Sequence, residues 1–68
     1  MCEFKVLLKT EAQEETVAED IVYAKTGHGS VVLRGVLGNQ ETINGVDILE
    51  IDVNAERLVL IPHIHHHD

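Results

Sequence analysis

Turn signals cut this chain into short apolar runs, and that punctuation limits its fold more than any other feature. Gly27-His28-Gly29, Gly38-Asn39, Asn44-Gly45 and Asn54-Ala55-Glu56 recur at short intervals. Gly, Asn and Asp tolerate the backbone conformations tight turns require. No uninterrupted stretch with an apolar stripe of helical period is left between them. The intervening runs alternate instead with period two, which places every second side chain on one face of a strand.

Phe4, Val6 and Leu8 share a face in the first run, with Glu3, Lys5 and Lys9 opposite and Leu7 as an apolar exception. Further strands are expected around Glu15 to Ala18, Ile21 to Thr26, Ser30 to Leu37, Gln40 to Ile43, Val46 to Val53 and Arg57 to Ile61. Asn44-Gly45 carries the strongest two-residue hairpin signal. Pro62, lacking an N–H, is expected to end regular pairing. A short helix over Glu11 to Glu19 is the alternative for the acidic segment, although that segment lacks a good apolar stripe. The fold expected is all-β, a small barrel or strongly curled antiparallel sheet of about seven short strands. Residues 1–61 form the β-domain and residues 62–68 a His-rich tail.

The expected core is Phe4, Val6, Leu8, Val17, Ile21, Tyr23, Val31, Leu33, Leu49, Ile51, Leu58 and Leu60. Leu7, Val32, Val36, Ile48, Val59 and Ile61 are then left on the other faces, more apolar surface than water tolerates well. A chain of 68 residues sits near the lower limit for folding without a staple, and its single Cys cannot form an internal disulfide. Both points lead to an expected homodimer with two-fold symmetry. A lone Cys, no secretory signal and no long apolar run point to a reducing cytoplasm, away from membranes.

The formal net charge is −7, from 5 basic and 12 acidic residues. Nucleic-acid binding depends largely on Lys and Arg neutralising phosphates, so this balance argues against a nucleic-acid partner. Phe4 and Tyr23 are too few to make a stacking platform for single strands. Glu11, Glu14, Glu15, Glu19 and Asp20 cluster in sequence. Such runs read first as solvated loop carboxylates and only second as a weak hard-cation site. His28, at a turn tip, reads as a solvent-exposed turn residue. No nucleophile–base pair or phosphate loop is present, so no enzyme activity is expected.

Two elements carry metal chemistry. Cys2 follows Met1 at the mouth of the first strand, where thiolate, amide and α-amine nitrogens lie close together. Removal of Met1 would leave the Cys2 amine free. A thiolate with planar nitrogen donors suits Ni(II) or Cu(II), and two chains at a dimer axis would supply two of each donor. A single Cys is not a motif, and taken alone it reads more readily as a small buried hydrophobe. The tail His63-Ile64-His65-His66-His67-Asp68 is the second element. Four His and a carboxylate suit metal capture through His63, His65, His66 and His67. The run is interrupted by Ile64 and follows the last strand directly, unlike a purification tag. Neutral imidazole is the ligand, so capture should fade below about pH 6.

Met1-Cys2, Lys5-Val6, Glu19-Asp20-Ile21-Val22, Val31-Val32-Leu33, the Gly45 turn and Ile48-Leu49-Glu50-Ile51-Asp52 together resemble the CooT-like proteins. These are small nickel-binding accessory proteins of carbon monoxide dehydrogenase maturation. The resemblance covers residues 1–61. It implies a small β-barrel homodimer and a metallochaperone that binds Ni(II) through the cysteine after the initiator Met. That role falls on Cys2, with Met1 or the exposed amine beside it. It also implies carbon monoxide dehydrogenase or its maturation factors as partners. The family has also been labelled RNA-binding, which the acidic charge opposes. The His-rich tail is not part of the family pattern. Hydrogenase-maturation chaperones also begin Met-Cys on a small barrel, but usually continue with a Pro that this chain lacks. The alternatives to a nickel metallochaperone are a metal-storage protein working through the His tail, or a small RNA-binding module.

Overall fold

A computed structural model describes residues 3–63. All of its regular structure is strand, in six segments: β1 (Phe4–Lys9), β2 (Glu14–Thr26), β3 (Ser30–Gly35), β4 (Gln40–Asn44), β5 (Val46–Asp52) and β6 (Arg57–Pro62). They form one sheet in the order β4-β3-β2-β1-β6-β5. Every pairing is antiparallel except β1–β6, which is parallel, with Val6 opposite Leu58 and Leu8 opposite Leu60. The all-β reading holds, while the purely antiparallel sheet is corrected by that one pair.

The sheet curls into a half-barrel, and its connectivity says why. β4 and β5 occupy opposite edges, yet only Gly45 separates them in the chain. The two edges must therefore meet at that residue. Gly45 takes φ +76°, a left-handed conformation that glycine adopts at no steric cost. Its N–H and that of Val46 both donate to the Gly29 carbonyl, and its own carbonyl accepts from the His63 N–H at 2.7 Å. Asn44-Gly45 is thus a corner and not the hairpin its sequence suggests, because β4 and β5 pair with β3 and β6 and not with each other.

Two expected strands, around Glu15 to Ala18 and from Ile21 to Thr26, are one. β2 runs unbroken for 13 residues, pairing with β1 through its first half and β3 through its second. It bends at Asp20, where φ is +58°, and the registers shift on both sides there. Bulges of this kind increase local twist and let a strand turn a corner without ending. The alternative helix over Glu11 to Glu19 does not form. β1 recruits Glu14 to Ala18 into a ladder, and pairing outweighs local propensity.

Val6, Ile21, Val31, Leu33, Val46, Leu58 and Leu60 form the buried core, with Phe4, Leu8, Val17, Ala18, Ile43 and Ile48 packed around it. No polar side chain is buried among the described residues. The β1 and β3 faces match the period-two reading; on β6 Leu58 and Leu60 face the core as expected, but the residue between them is buried as well. The β5 reading fails: Val46 and Ile48 face the core, whereas Leu49 and Ile51 are 52% and 59% exposed. The inward set begins on the even positions, Val46 and Ile48; a bulge between Ile48 and Glu50 then skips Leu49 and sets Ile51 opposite Leu58, where it remains exposed. Tyr23 also lies outside the core, its ring under the Arg34 guanidinium at 4.1 Å. Of the apolar residues assigned outward, Val59 is buried and Ile48 joins the core. Pro62 is the last paired residue of β6, opposite Val46.

A Cβ at Gly45 would meet no atom within 4 Å, so its constraint is conformational and not spatial. Gly45→Ala should destabilise the domain by about 1–2 kcal/mol in urea unfolding, and Gly45→Asn, which tolerates this region, by clearly less. Equal losses would mean that the corner is held by packing instead.

Candidate functional site

Met1, Cys2, His65, His66 and His67 lie outside the described residues, so the structure speaks to the places where these elements join the fold. The N-terminal element joins at the start of β1. Phe4 is opposite Ile21 on one side, and on the other the Lys5 N–H donates to the Glu56 carbonyl at 2.9 Å. Phe4 lines a shallow apolar depression with Ile21, Val22, Tyr23, Ile51 and Leu58. The first strand thus enters the sheet beside exposed apolar side chains from β2 and β5.

The tail joins at the opposite end. Because β1 and β6 run parallel, the end of β6 is far from the start of β1, by about 20 Å at the usual rise per residue. His63 and Phe4 are therefore not brought together. Among the described residues, His63 meets Gly45, Asp47 and Gly29. Its N–H donates to the Gly45 carbonyl. Its Nδ1 lies 2.6 Å from Asp47 Oδ2. Its ring Cγ and Cδ2 face Gly29, where an added Cβ would stand 3.8–3.9 Å away. An ionised carboxylate only accepts hydrogen bonds, so Nδ1 carries the proton and donates. In the neutral ring the lone pair then belongs to Nε2, on the same edge as Cδ2.

His63 borders a depression that His28, Gly29 and Gly45 also line. His28 is exposed at the turn tip, as its sequence position suggests. Both of its flanks are tied down. The Gly27 N–H donates to the Ser30 carbonyl at 2.9 Å, and the Gly29 carbonyl receives the two amides of the Gly45 corner. Asp47 is the second residue of β5. It lies 16 positions from His63, and no local pattern joins the two.

Among the described residues, no three or more His, Cys, Asp or Glu side chains converge in a metal-binding group. The acidic residues Glu11, Glu14, Glu15, Glu19 and Asp20 are exposed, and Gln13 Nε2 donates to Glu15 at 3.0 Å. They are solvated as expected, but all except Glu11 lie on β2 and not in a loop. No described helix is long and apolar enough to cross a membrane.

Comparison with known families adds the decisive observation. The family described as CO dehydrogenase accessory protein CooT matches residues 1–61, nearly the whole chain and every strand but for the last residue of β6. The chain belongs to the CooT family. Its family role is that of an accessory protein to CO dehydrogenase, a description that is not catalytic in itself. The match ends one residue before the end of β6, so Pro62, His63 and the following residues lie beyond it. No curated protein sequence matches the chain.

The His63 geometry makes a direct prediction. Nitrogen-detected NMR at about pH 8, where free imidazole is neutral, should show His63 as the Nδ1–H tautomer. Asp47→Ala should return it to a tautomer mixture. An Nε2–H ring in the wild type would contradict the assigned hydrogen bond.

Proposed function

We propose that this CooT-family chain is a nickel-binding accessory protein for CO dehydrogenase maturation, which carries Ni(II) on Cys2 at the interface of a homodimer. The observation that carries the reading is the family match, which begins at residue 1 and so includes Met1-Cys2. The ion is cargo, held to be passed on. A thiolate with amide or amine nitrogens in a plane suits Ni(II), and one such group per chain leaves the sphere incomplete. A second protomer completes it.

Two features of the fold support the dimer. The half-barrel leaves β4 and β5 as edges that meet only at Gly45, and an uncovered edge invites pairing. On β5 and just beyond it, Leu49, Ile51 and Val53 are more than half exposed. Ile51 also lines the depression beside Phe4, so the apolar surface reaches the root of the cysteine-bearing strand. A partner covering Ile51 would approach that root, and two-fold symmetry would bring the second root with it. The His tail serves as a separate and weaker capture element at the other end of the fold.

Ni(II) titration of wild type, Cys2→Ser and a chain ending at Pro62 separates the alternatives. Cys2→Ser should lose the thiolate-to-nickel absorption and the tightest site, while the shortened chain keeps both. Loss of most bound nickel on shortening, with Cys2→Ser unaffected, would favour storage by the tail instead. Ile51→Glu should convert the dimer to a monomer in sedimentation velocity and weaken the Cys2 site with it. A dimer unchanged by that substitution would place the interface elsewhere.

A further inference from the structure

We propose that Asn44 is a deamidation site restrained by the Gly45 corner, and that its conversion to isoaspartate loosens the half-barrel irreversibly. The inference does not depend on metal binding.

The chain has three asparagines, Asn39, Asn44 and Asn54, followed by Gln40, Gly45 and Ala55. An asparagine deamidates when the backbone nitrogen of the next residue attacks its side-chain amide. A side chain on that next residue hinders the attack, so Asn44, which precedes glycine, is intrinsically the most reactive of the three. It is also exposed, so water can carry the proton transfers. In the first step a bond forms between Gly45 N and Asn44 Cγ, and the bond from Cγ to Nδ2 breaks. Nδ2 leaves as ammonia, taking up the proton that Gly45 N gives off. The five-membered succinimide left behind is opened by water. Attack at Cγ gives aspartate. Attack at the main-chain carbonyl gives isoaspartate, in which the chain runs on through Cβ and Cγ. No oxidant or reductant is involved.

The fold opposes the first step in two ways. The Gly45 N–H donates to the Gly29 carbonyl, which holds both the nitrogen and its proton. Asn44 ends β4 and is paired opposite Ser30. An extended backbone turns the next nitrogen away from the residue's own Cβ, so the ring cannot close. Both restraints fail together when the corner opens. β4 is an edge strand, held by β3 alone within the sheet, and such elements open locally without global unfolding.

The place of the product gives it its effect. Gly45 alone links the two edges of the sheet. Isoaspartate adds one backbone atom directly before that link, which shifts the Gly45 and Val46 amides off their shared acceptor. Both products add a negative charge, but only isoaspartate lengthens the chain.

The test follows the full-length wild type at neutral pH and physiological temperature. Isoaspartate is read by methyltransferase labelling and peptide mass spectrometry, and a synthetic peptide of residues 40–49 gives the unrestrained rate. In the folded chain Asn44 should convert at least about tenfold more slowly than in the peptide. In urea-unfolded chain it should regain the peptide rate and run ahead of Asn39 and Asn54. Equal rates in folded chain and peptide would overturn the restraint. The isoaspartate form, separated by chromatography, should unfold at lower urea than Asn44→Asp, which carries the same charge on an ordinary backbone. Equal midpoints would overturn the loosening. Hydrogen exchange tests the same point without substitution. The Gly45 and Val46 amides should be protected in the wild type and lose that protection in the isoaspartate form; retained protection would overturn the proposal.

Discussion

The structure depends on a single carbonyl, that of Gly29, which accepts from the consecutive amides of Gly45 and Val46. Six strands in the order β4-β3-β2-β1-β6-β5 would otherwise form an open, twisted sheet with its edge strands far apart. The one-residue link at Gly45 forbids that, and the paired amides fix where the edges meet. Curling the sheet brings the inward faces of β3 and β6 together, so that Val31, Leu33, Leu58 and Leu60 share one core. A domain this small has little apolar surface with which to offset its ordering entropy. A corner fixed by backbone bonds supplies curvature without drawing on that core.

Much of the fold is legible in the sequence because the central strands obey period two. Val6, Val31, Leu33, Leu58 and Leu60 are where alternation puts them, and the turns at Gly27-His28-Gly29 and Gly38-Asn39 fall between paired strands. The exceptions share one cause: an irregularity that only the paired strand reveals. The bend at Asp20 joins two expected strands into β2. The bulge after Ile48 skips Leu49 in the ladder and sets Ile51 opposite Leu58, where it nonetheless stays exposed. Asn44-Gly45 suits a hairpin, but which strands it joins is set by pairings with β3 and β6, and these are non-local.

The candidate chemistry divides along the same line. Cys2 and the tail histidines stand out by residue type, so composition finds them. The His63–Asp47 pair does not, because the two meet only once the β5–β6 ladder and the Gly45 corner exist. Family membership fixes the broad role, accessory to CO dehydrogenase, and covers the strands without the tail. The fold then keeps the roots of the two candidate elements at opposite ends of the β1–β6 pair.

The parallel pairing of β1 with β6 also has a mechanical meaning. A pull on Glu3 and on His63 draws these neighbouring strands in opposite directions along their length. The ladder between them is then loaded in shear, with all of its hydrogen bonds strained at once, and it cannot be unzipped one bond at a time. The fold can be gripped at both ends and tugged without opening at its centre.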